Sequence, residues 1–301
     1  MPHKKSRKHK LFDAVIASVV CILIFVFSVL ASNIDLSNLF GFPANFDINS
    51  DFVRIIDVGQ GDSILIYSNG YSALIDTGLS TSSSKICTVL EDCKIKKLDV
   101  LLITHFDNDH IGGAETLCEL YGADKLIMPK IPANSEYSSI AESLITNVKQ
   151  NKGEVYTAKV GMNFKIGEFE VTVLSNDSSF ESENNRSIVS AAKISGRKFL
   201  FMADIEYEAE NRLLESGLDL SADVLKVGHH GSSTSSKYKF LKEVNPKYAA
   251  ISVDGDNDYE HPHSEVLSAL EKVNAEIYRT DRDGDITFYV KSGKIVTNTE
   301  K

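Results

Sequence analysis

The stretch THFDNDHIGG, residues 104–113, decides how the rest of the chain is read. It ends the apolar run LDVLLIT, which has the length and composition of a buried strand. His105, Asp107, Asp109 and His110 then fall within six positions, before Gly112 and Gly113 release the chain into a helical stretch. Imidazole nitrogens and carboxylate oxygens gathered at one strand end suit a metal site, because no long loop has to close around the ion. A solvated polar turn would not ordinarily crowd two His and two Asp behind a buried strand. Two later strands end in a similar way. KFLFMADIE carries Asp204 past an apolar run, where an unpaired buried carboxylate is costly, and DVLKVGHHGSSTS carries His229 and His230. Alone, Asp204 reads more readily as a helix cap than as a ligand, and either His more readily as a satisfied core residue. Together with the first motif they supply enough ligands for two metal ions.

Outward from these motifs the punctuation is that of one α/β domain, residues 52–295. FVRIIDV, SILIYS, YSALID, EFEVTVL, SIVSAAKI, KFLFMAD, DVLKVGH, YAAISV and ITFYV read as strands. SSSKICTVLEDC, YEAENRLLES and SEVLSALEKV read as helices, and a helix-strand insertion is expected between Gly122 and Gly167. Residues 33–51, with Gly41 and Pro43 and no clear period, read as a linker. Before them, 11–32 is an apolar run without charge from Ala14 to Ala31, as a bilayer-spanning helix requires. Residues 1–10 carry five basic groups, and no Lys or Arg follows until Arg54. The positive-inside rule then keeps the N-terminus cytosolic and exports the domain, as a single-pass cell-membrane protein. A cleaved signal peptide, and hence a secreted domain, is the alternative.

The chain has 301 residues, of which 43% are hydrophobic and 25% charged, too apolar for a disordered protein. Residues 33–301 hold 27 basic and 41 acidic groups, a net of −14. No broad basic face for nonspecific duplex binding is available, so any polyanion has to be held locally, with metal ions. Four cysteines are too few for a disulfide scaffold. Cys87, Cys93 and Cys118 read as small buried hydrophobes, a disulfide involving Cys118 being the rival.

HFDNDH resembles the His-x-His-x-Asp-His signature of the metallo-β-lactamase superfamily, with Asp107 in the second His place, and LIDTG (74–78) resembles its first turn. More narrowly, DVGQGD (57–62), THFDNDHIGG, NNRSIV (184–189), FMADIE, LKVGHHGSSTS, EHPH (260–263) and YRTDRDGDITF (278–288) resemble, in order, the C-terminal ComEC-type competence domain. The match spans about residues 52–290. Where ComEC has a many-helix membrane channel this chain has one hydrophobic segment, so no DNA translocation pore is expected of it. The resemblance implies a four-layer αβ/βα sandwich with two divalent ions, Zn²⁺ or Mn²⁺, at one edge. His105 and Asp107 would hold the first and Asp109 and His110 the second, with Asp204 bridging. His229 would complete the second site, with His230 its rival. Asp76, and Asp62 beside it, would orient ligands from behind. The superfamily's usual third His is missing; Asn185 and Ser187 occupy that region. Asp107 in place of His hardens the first site and tilts it toward Mn²⁺.

The expected chemistry is attack on a phosphodiester by a metal-activated water. Asp109 belongs to that machinery, His230 or His261 protonates the leaving oxygen, and Ser232 and Ser233 of the HHGSSTS loop bind phosphate with Asn185 and Ser187. DGDNDYE (254–260) resembles a calcium loop but has Tyr259 where Gly is needed, and DVGQGD lacks the Lys-Ser/Thr of a nucleotide loop, so no nucleotide cofactor is expected. DNA is the favoured substrate. A small or cell-wall phosphoester is the rival within enzymes, and a catalytically inert binding module is the reading from another class.

Overall fold

Apolar residues that alternate along short strands build two sheets facing one another. The structure, a computed structural model, describes residues 47–131 and 138–301. The candidate membrane segment 11–32 and nearly all of the linker lie outside the described residues. Among the described residues no helix is long and apolar enough to cross a membrane.

In chain order the strands are β1 (Asp51–Ile55), β2 (Ile64–Ser68), β3 (Tyr71–Ile75), β4 (Leu98–Leu102), β5 (Ala123–Met128), β6 (Glu154–Thr157), β7 (Asn163–Ile166) and β8 (Phe169–Ser175). They continue as β9 (Val189–Ile194), β10 (Arg197–Phe201), β11 (Val224–Lys226), β12 (Tyr248–Ile251), β13 (Glu276–Arg279), β14 (Ile286–Lys291) and β15 (Lys294–Thr299). The helices are α1 (Ser83–Asp92), α2 (Asn108–Ile111), α3 (Ala114–Tyr121), α4 (Ser138–Gln150), α5 (Tyr207–Glu215), α6 (Tyr238–Val244), α7 (Ser264–Lys272) and α8 (Thr280–Asp283). One sheet has the order β15-β14-β1-β2-β3-β4-β5-β6 and the other β13-β12-β11-β10-β9-β8-β7.

Ile55, Ile66, Ile75 and Leu102 of the first sheet meet Phe169, Phe199 and Phe201 of the second in the central core. Phe169 and Phe199 stack edge to face, ring centroids 6.0 Å apart. On the outer face of the second sheet, Leu213 of α5, Phe240 and Leu241 of α6 and Leu270 of α7 cover Leu200, Leu225 and Ile251. On the first sheet α4 lies against β5 and β6, burying Ala141, Leu144 and Val148 along one helical stripe. The result is the expected helix-sheet-sheet-helix layering.

Both sheets contain a parallel block, β3-β4-β5-β6 in the first and β10-β11-β12-β13 in the second. Parallel strands deliver all their carboxyl ends to one edge, where open α/β sheets place their sites. Asp76, Thr104 to His110, Asp204 and His229–His230 all follow such ends.

Several expectations change in detail. The DVLKVGH strand stops at Lys226, because His229 and His230 take left-handed backbone, φ 48° and 51°, which no strand tolerates. The span between Gly122 and Gly167 holds β5, α4, β6 and β7, more than one helix and one strand. TDRDGD forms a single helical turn before β14, and β15 carries the sheet past residue 295. Cys87, Cys93 and Cys118 are free thiols. Burial pushes Cys93 and Cys118 up to about 12, so they act as inert apolar groups. Truncating the ring at the centre of the core, Phe199→Ala, is expected to cost about 3–5 kcal/mol, read as a lower urea midpoint at unchanged slope.

Candidate metal centre

The turn after β3 sets the stage. Asp76 sits in left-handed backbone, φ 58°, which swings its carboxylate beneath the end of β4. There it accepts the Thr104 amide (2.8 Å), the Thr104 hydroxyl (2.6 Å) and Nδ1–H of His110 (2.8 Å). Fixing Nδ1 as the donor leaves Nε2 of His110 as the free nitrogen. The loop is drawn in tightly by glycines. A Cβ on Gly113 would stand 2.5 Å from the Thr77 carbonyl oxygen, and one on Gly61 2.4 Å from that of Asp109, which accepts the Asp62 amide at 3.1 Å.

The second sheet supplies the other half. Asp204 Oδ2 lies 3.3 Å from Nε2 of both His110 and His230, and His230 Nε2 lies 3.3 Å from Asp109. His230 donates Nδ1–H to the Ser252 carbonyl at 3.0 Å, so its Nε2 is the free nitrogen as well. Ligand atoms of Asp109, His110, Asp204 and His230 all fall within 4.8 Å of one another. Beside them, His105 Nε2 is 3.6 Å from Asp107, and the His105 and His110 rings are 4.0 Å apart. Nε2 of His105, His110 and His230 and Oδ1 of Asp204 are buried without a hydrogen-bond partner. Buried polar atoms are rarely left so, and those of His110, His230 and Asp204 in one cluster, with His105 beside it, form the arrangement a cation completes. The donor set fits a divalent ion, nitrogen and oxygen mixed, with the order of Zn²⁺ and Mn²⁺ left to geometry.

The choice between the two histidines of GHHG falls on His230. It is 1% exposed and inside the cluster, whereas His229 stands 3.9 Å from Asp204 with its Nδ1 turned toward Thr234 (3.2 Å) and Glu206 (3.9 Å). With Nδ1 on the Ser252 carbonyl and Nε2 inside the cluster, His230 keeps no nitrogen for proton donation even though its ring borders the cavity, and His229 has no short contact that marks a ligand. The other expected proton donor also changes character. Burial, together with the charges of His229, His230 and His263, pushes His261 down to about 4, so it is neutral at pH 7. Asn185 is 1% exposed and accepts the Glu206 amide at 2.8 Å. The Ser232 hydroxyl bonds Thr234, and the Ser233 amide donates to His263 at 2.8 Å. These three tie loops together and do not line the cavity. Ser187 keeps a buried hydroxyl without a partner, next to Ile188 whose amide bonds the Thr104 carbonyl.

Sequence reasoning missed two supports. Lys226 is fully buried with its ammonium 2.8 Å from Asp62, joining the two sheets behind the cluster. Burial pushes the Asp62 carboxyl up, but Lys226 and His230 outweigh it and hold the group below its ordinary value. A lone Lys ending the apolar run before GHHG was the available signal. Glu210 accepts the Ser236 and Lys237 amides and so anchors the far end of the GHHGSSTSSK loop. Burial pushes it up to about 7.

The cluster opens into a cavity of about 420 Å³ whose wall includes His229, His261 and Tyr259. Asp107, Asp109, Asp204, Asp254, Asp256 and Asp258 make that wall strongly acidic. An anionic substrate enters only if cations offset those charges. Without a cation the histidines do part of this. Burial would lower His110 and His230, yet Asp204 and its neighbours raise His110 well above its ordinary value and His230 to about 10. Burial would raise Asp109, but His230 and His110 hold it at about 2.

The sequence profile of the metallo-beta-lactamase superfamily matches residues 56–255. ComE operon protein 3 of Bacillus subtilis (strain 168) is 34% identical over 260 residues, 80% of this chain and 33% of that protein. Competence protein ComA of Neisseria gonorrhoeae is 28% identical over 249 residues, 82% and 33%. The chain thus spans about a third of the length of the curated relatives it matches. The metallo-beta-lactamase fold protein YhfI from Bacillus subtilis superposes with a TM-score of 0.54 at 15% identity, covering 82% of this chain and all of YhfI.

Two outcomes follow from this geometry. His230→Ala is expected to weaken divalent-ion affinity by at least about a hundredfold, while His229→Ala leaves it within a few-fold, both by calorimetric titration. An ion takes the unprotonated imidazoles, and the neighbouring carboxylates raise both His110 and His230, so ion binding competes with protons at these rings. Its apparent affinity should therefore climb with pH from 6 to 8, by up to about tenfold per unit for each proton displaced.

Proposed function

We propose that this chain, which belongs to the metallo-beta-lactamase superfamily, is a metal-dependent hydrolase of phosphodiesters, with DNA the favoured substrate. The observation that carries the reading is the cluster of orphaned ligand atoms on His110, His230 and Asp204, with that of His105 beside it, where Asp204 and His230 border the acidic cavity. His105 and Asp107 would hold one ion, and Asp109, His110 and His230 a second, with Asp204 between them. Divalent ions bound there supply Lewis-acid charge for the phosphate oxygens and an acidified water as nucleophile.

The chain's own residues do the remaining work. Asp76 and the Ser252 carbonyl hold His110 and His230 in the tautomers that keep Nε2 free. His229, open to the cavity and steadied by Thr234 and Glu206, is placed to carry a proton to the leaving oxygen. His261, neutral and stacked on Tyr259 with ring centroids 5.5 Å apart, forms the apolar-and-acceptor side of the cavity. An inert binding module has no use for four buried, unbonded ligand atoms. Competence proteins among the relatives support DNA. The Asp254–Asp258 wall supports the second reading, a small or cell-wall phosphoester, because it repels an extended polyanion. Residues 11–32 would anchor the enzyme in the cell membrane with this domain outside.

With Mn²⁺ or Zn²⁺, the purified protein should cleave single-stranded DNA or bis(p-nitrophenyl) phosphate. Asp109→Ala should lower the rate by more than about a hundredfold. A metal-loaded protein that leaves both substrates intact overturns the reading.

A further inference from the structure

A second cavity opens on the same edge, one strand beyond the metal loop. Ile103 donates its amide to the Ile127 carbonyl, so the chain entering the metal loop runs beside the end of β5. The next residues after β5 are Pro129 and Lys130. Ala158, just past β6, donates to the Met128 carbonyl, and Asn176, just past β8, donates its side-chain amide to the Ala158 carbonyl at 2.8 Å. These three strand ends floor a groove of about 330 Å³ walled by Lys130, Lys159 and Arg186. Arg186 leads directly through Ser187 and Ile188 to the Thr104 carbonyl, at the root of the metal loop. A short stretch of chain, Arg186 to Ile188, therefore connects the groove's lining to the root of the metal loop.

Its charge is the reverse of the first cavity's. Among the described residues Glu183 is the one acid in its lining, and it already pairs with Arg186 at 3.4 Å. Lys130 and Lys159 make no ion pair among the described residues, and both are exposed. The described lining holds no aromatic ring, so the groove offers cations to a backbone and no platform for stacking bases. On the far side of the metal centre Asp254, Asp256 and Asp258 oppose any phosphate.

Resting on the phosphodiesterase reading, we propose that Lys130, Lys159 and Arg186 form the subsite for the flanking phosphates of a single-stranded polynucleotide. The strand lies over this groove on one side of the scissile phosphate only. Two lysines without ion pairs among the described residues, beside an arginine shared with Glu183, suit about two phosphates of one strand, which agrees with a domain too acidic to grip a duplex. One-sided phosphate binding also favours cleavage close to a strand end, the short product leaving past the acidic wall.

The test uses the full chain with Mn²⁺ and a fluorescein-labelled, nuclease-resistant phosphorothioate dodecathymidylate, binding being read by anisotropy over a salt series. The double variant Lys130→Ala/Lys159→Ala should weaken binding about tenfold and lower the salt slope by roughly 0.7 for each phosphate no longer neutralised. Lys165→Ala/Lys193→Ala makes the same charge change at a separate cavity walled by Lys165, Lys193 and Arg197, and should stay within twofold of the parent. Equal weakening by both pairs, no weakening by the first, or no binding by the parent protein overturns the proposal. Hydrolysis of bis(p-nitrophenyl) phosphate, followed in parallel, separates the two readings. Parent protein that binds through the groove but hydrolyses nothing refutes the catalytic reading alone. Hydrolysis that is intact in the groove variant, with oligonucleotide binding unmoved, refutes the groove alone.

Discussion

Asp204 is the carboxylate on which the arrangement turns. It comes from the second sheet, while His110, equally close, comes from the first, and His230 from a loop between β11 and α6. Burying a carboxylate without compensation costs several kcal/mol, and here burial is nearly complete. Raised imidazoles compensate it in the ion-free protein: Asp204 is held well below its ordinary value, against burial, by His230 and His110. A cation does the same and also satisfies the free nitrogens. The two sheets are thus joined at this edge by electrostatics as well as by the apolar core behind it.

The surroundings hold that point still. Lys226 and Asp62 form a buried pair across the sheets, and Asp62 also donates its amide to Asp109 and accepts the Gly78 amide. Asp76, Ala203, His229 and His230 all adopt left-handed backbone. For residues other than Gly this costs on the order of 1 kcal/mol or more each. Such strain at one edge persists only where the neighbouring structure enforces it, and it re-aims the side chains that a regular strand or helix would point elsewhere.

Much of this is legible in the sequence. A charge-rich loop behind LDVLLIT reads as a ligand cluster because polar groups crowded there need a common partner, and Asp204 and GHHG read similarly at their strand ends. The order of His229 and His230 is not legible, because adjacent residues in left-handed backbone follow neither strand nor helix periodicity. Asn185 and Ser232 look like phosphate binders by type, but their partners, Glu206 and Thr234, are set by the loop fold. The groove of Lys130, Lys159 and Arg186 is invisible, since its walls come from segments joined only by strand order. Lys226 is in plain view in LKVGHH, and its importance depends on meeting Asp62 from across the molecule.

Whether this cluster is a metal centre is measured most directly by elemental analysis of the purified protein. The protein is dialysed exhaustively against metal-free buffer, and Mn²⁺ or Zn²⁺ is then added. At least one divalent ion should remain per chain or return on addition. Saturation at a hundred times Kd should stabilise the fold by about 2.7 kcal/mol, raising Tm. A folded protein that retains no ion, and whose Tm does not move when either is added, would contradict the assignment.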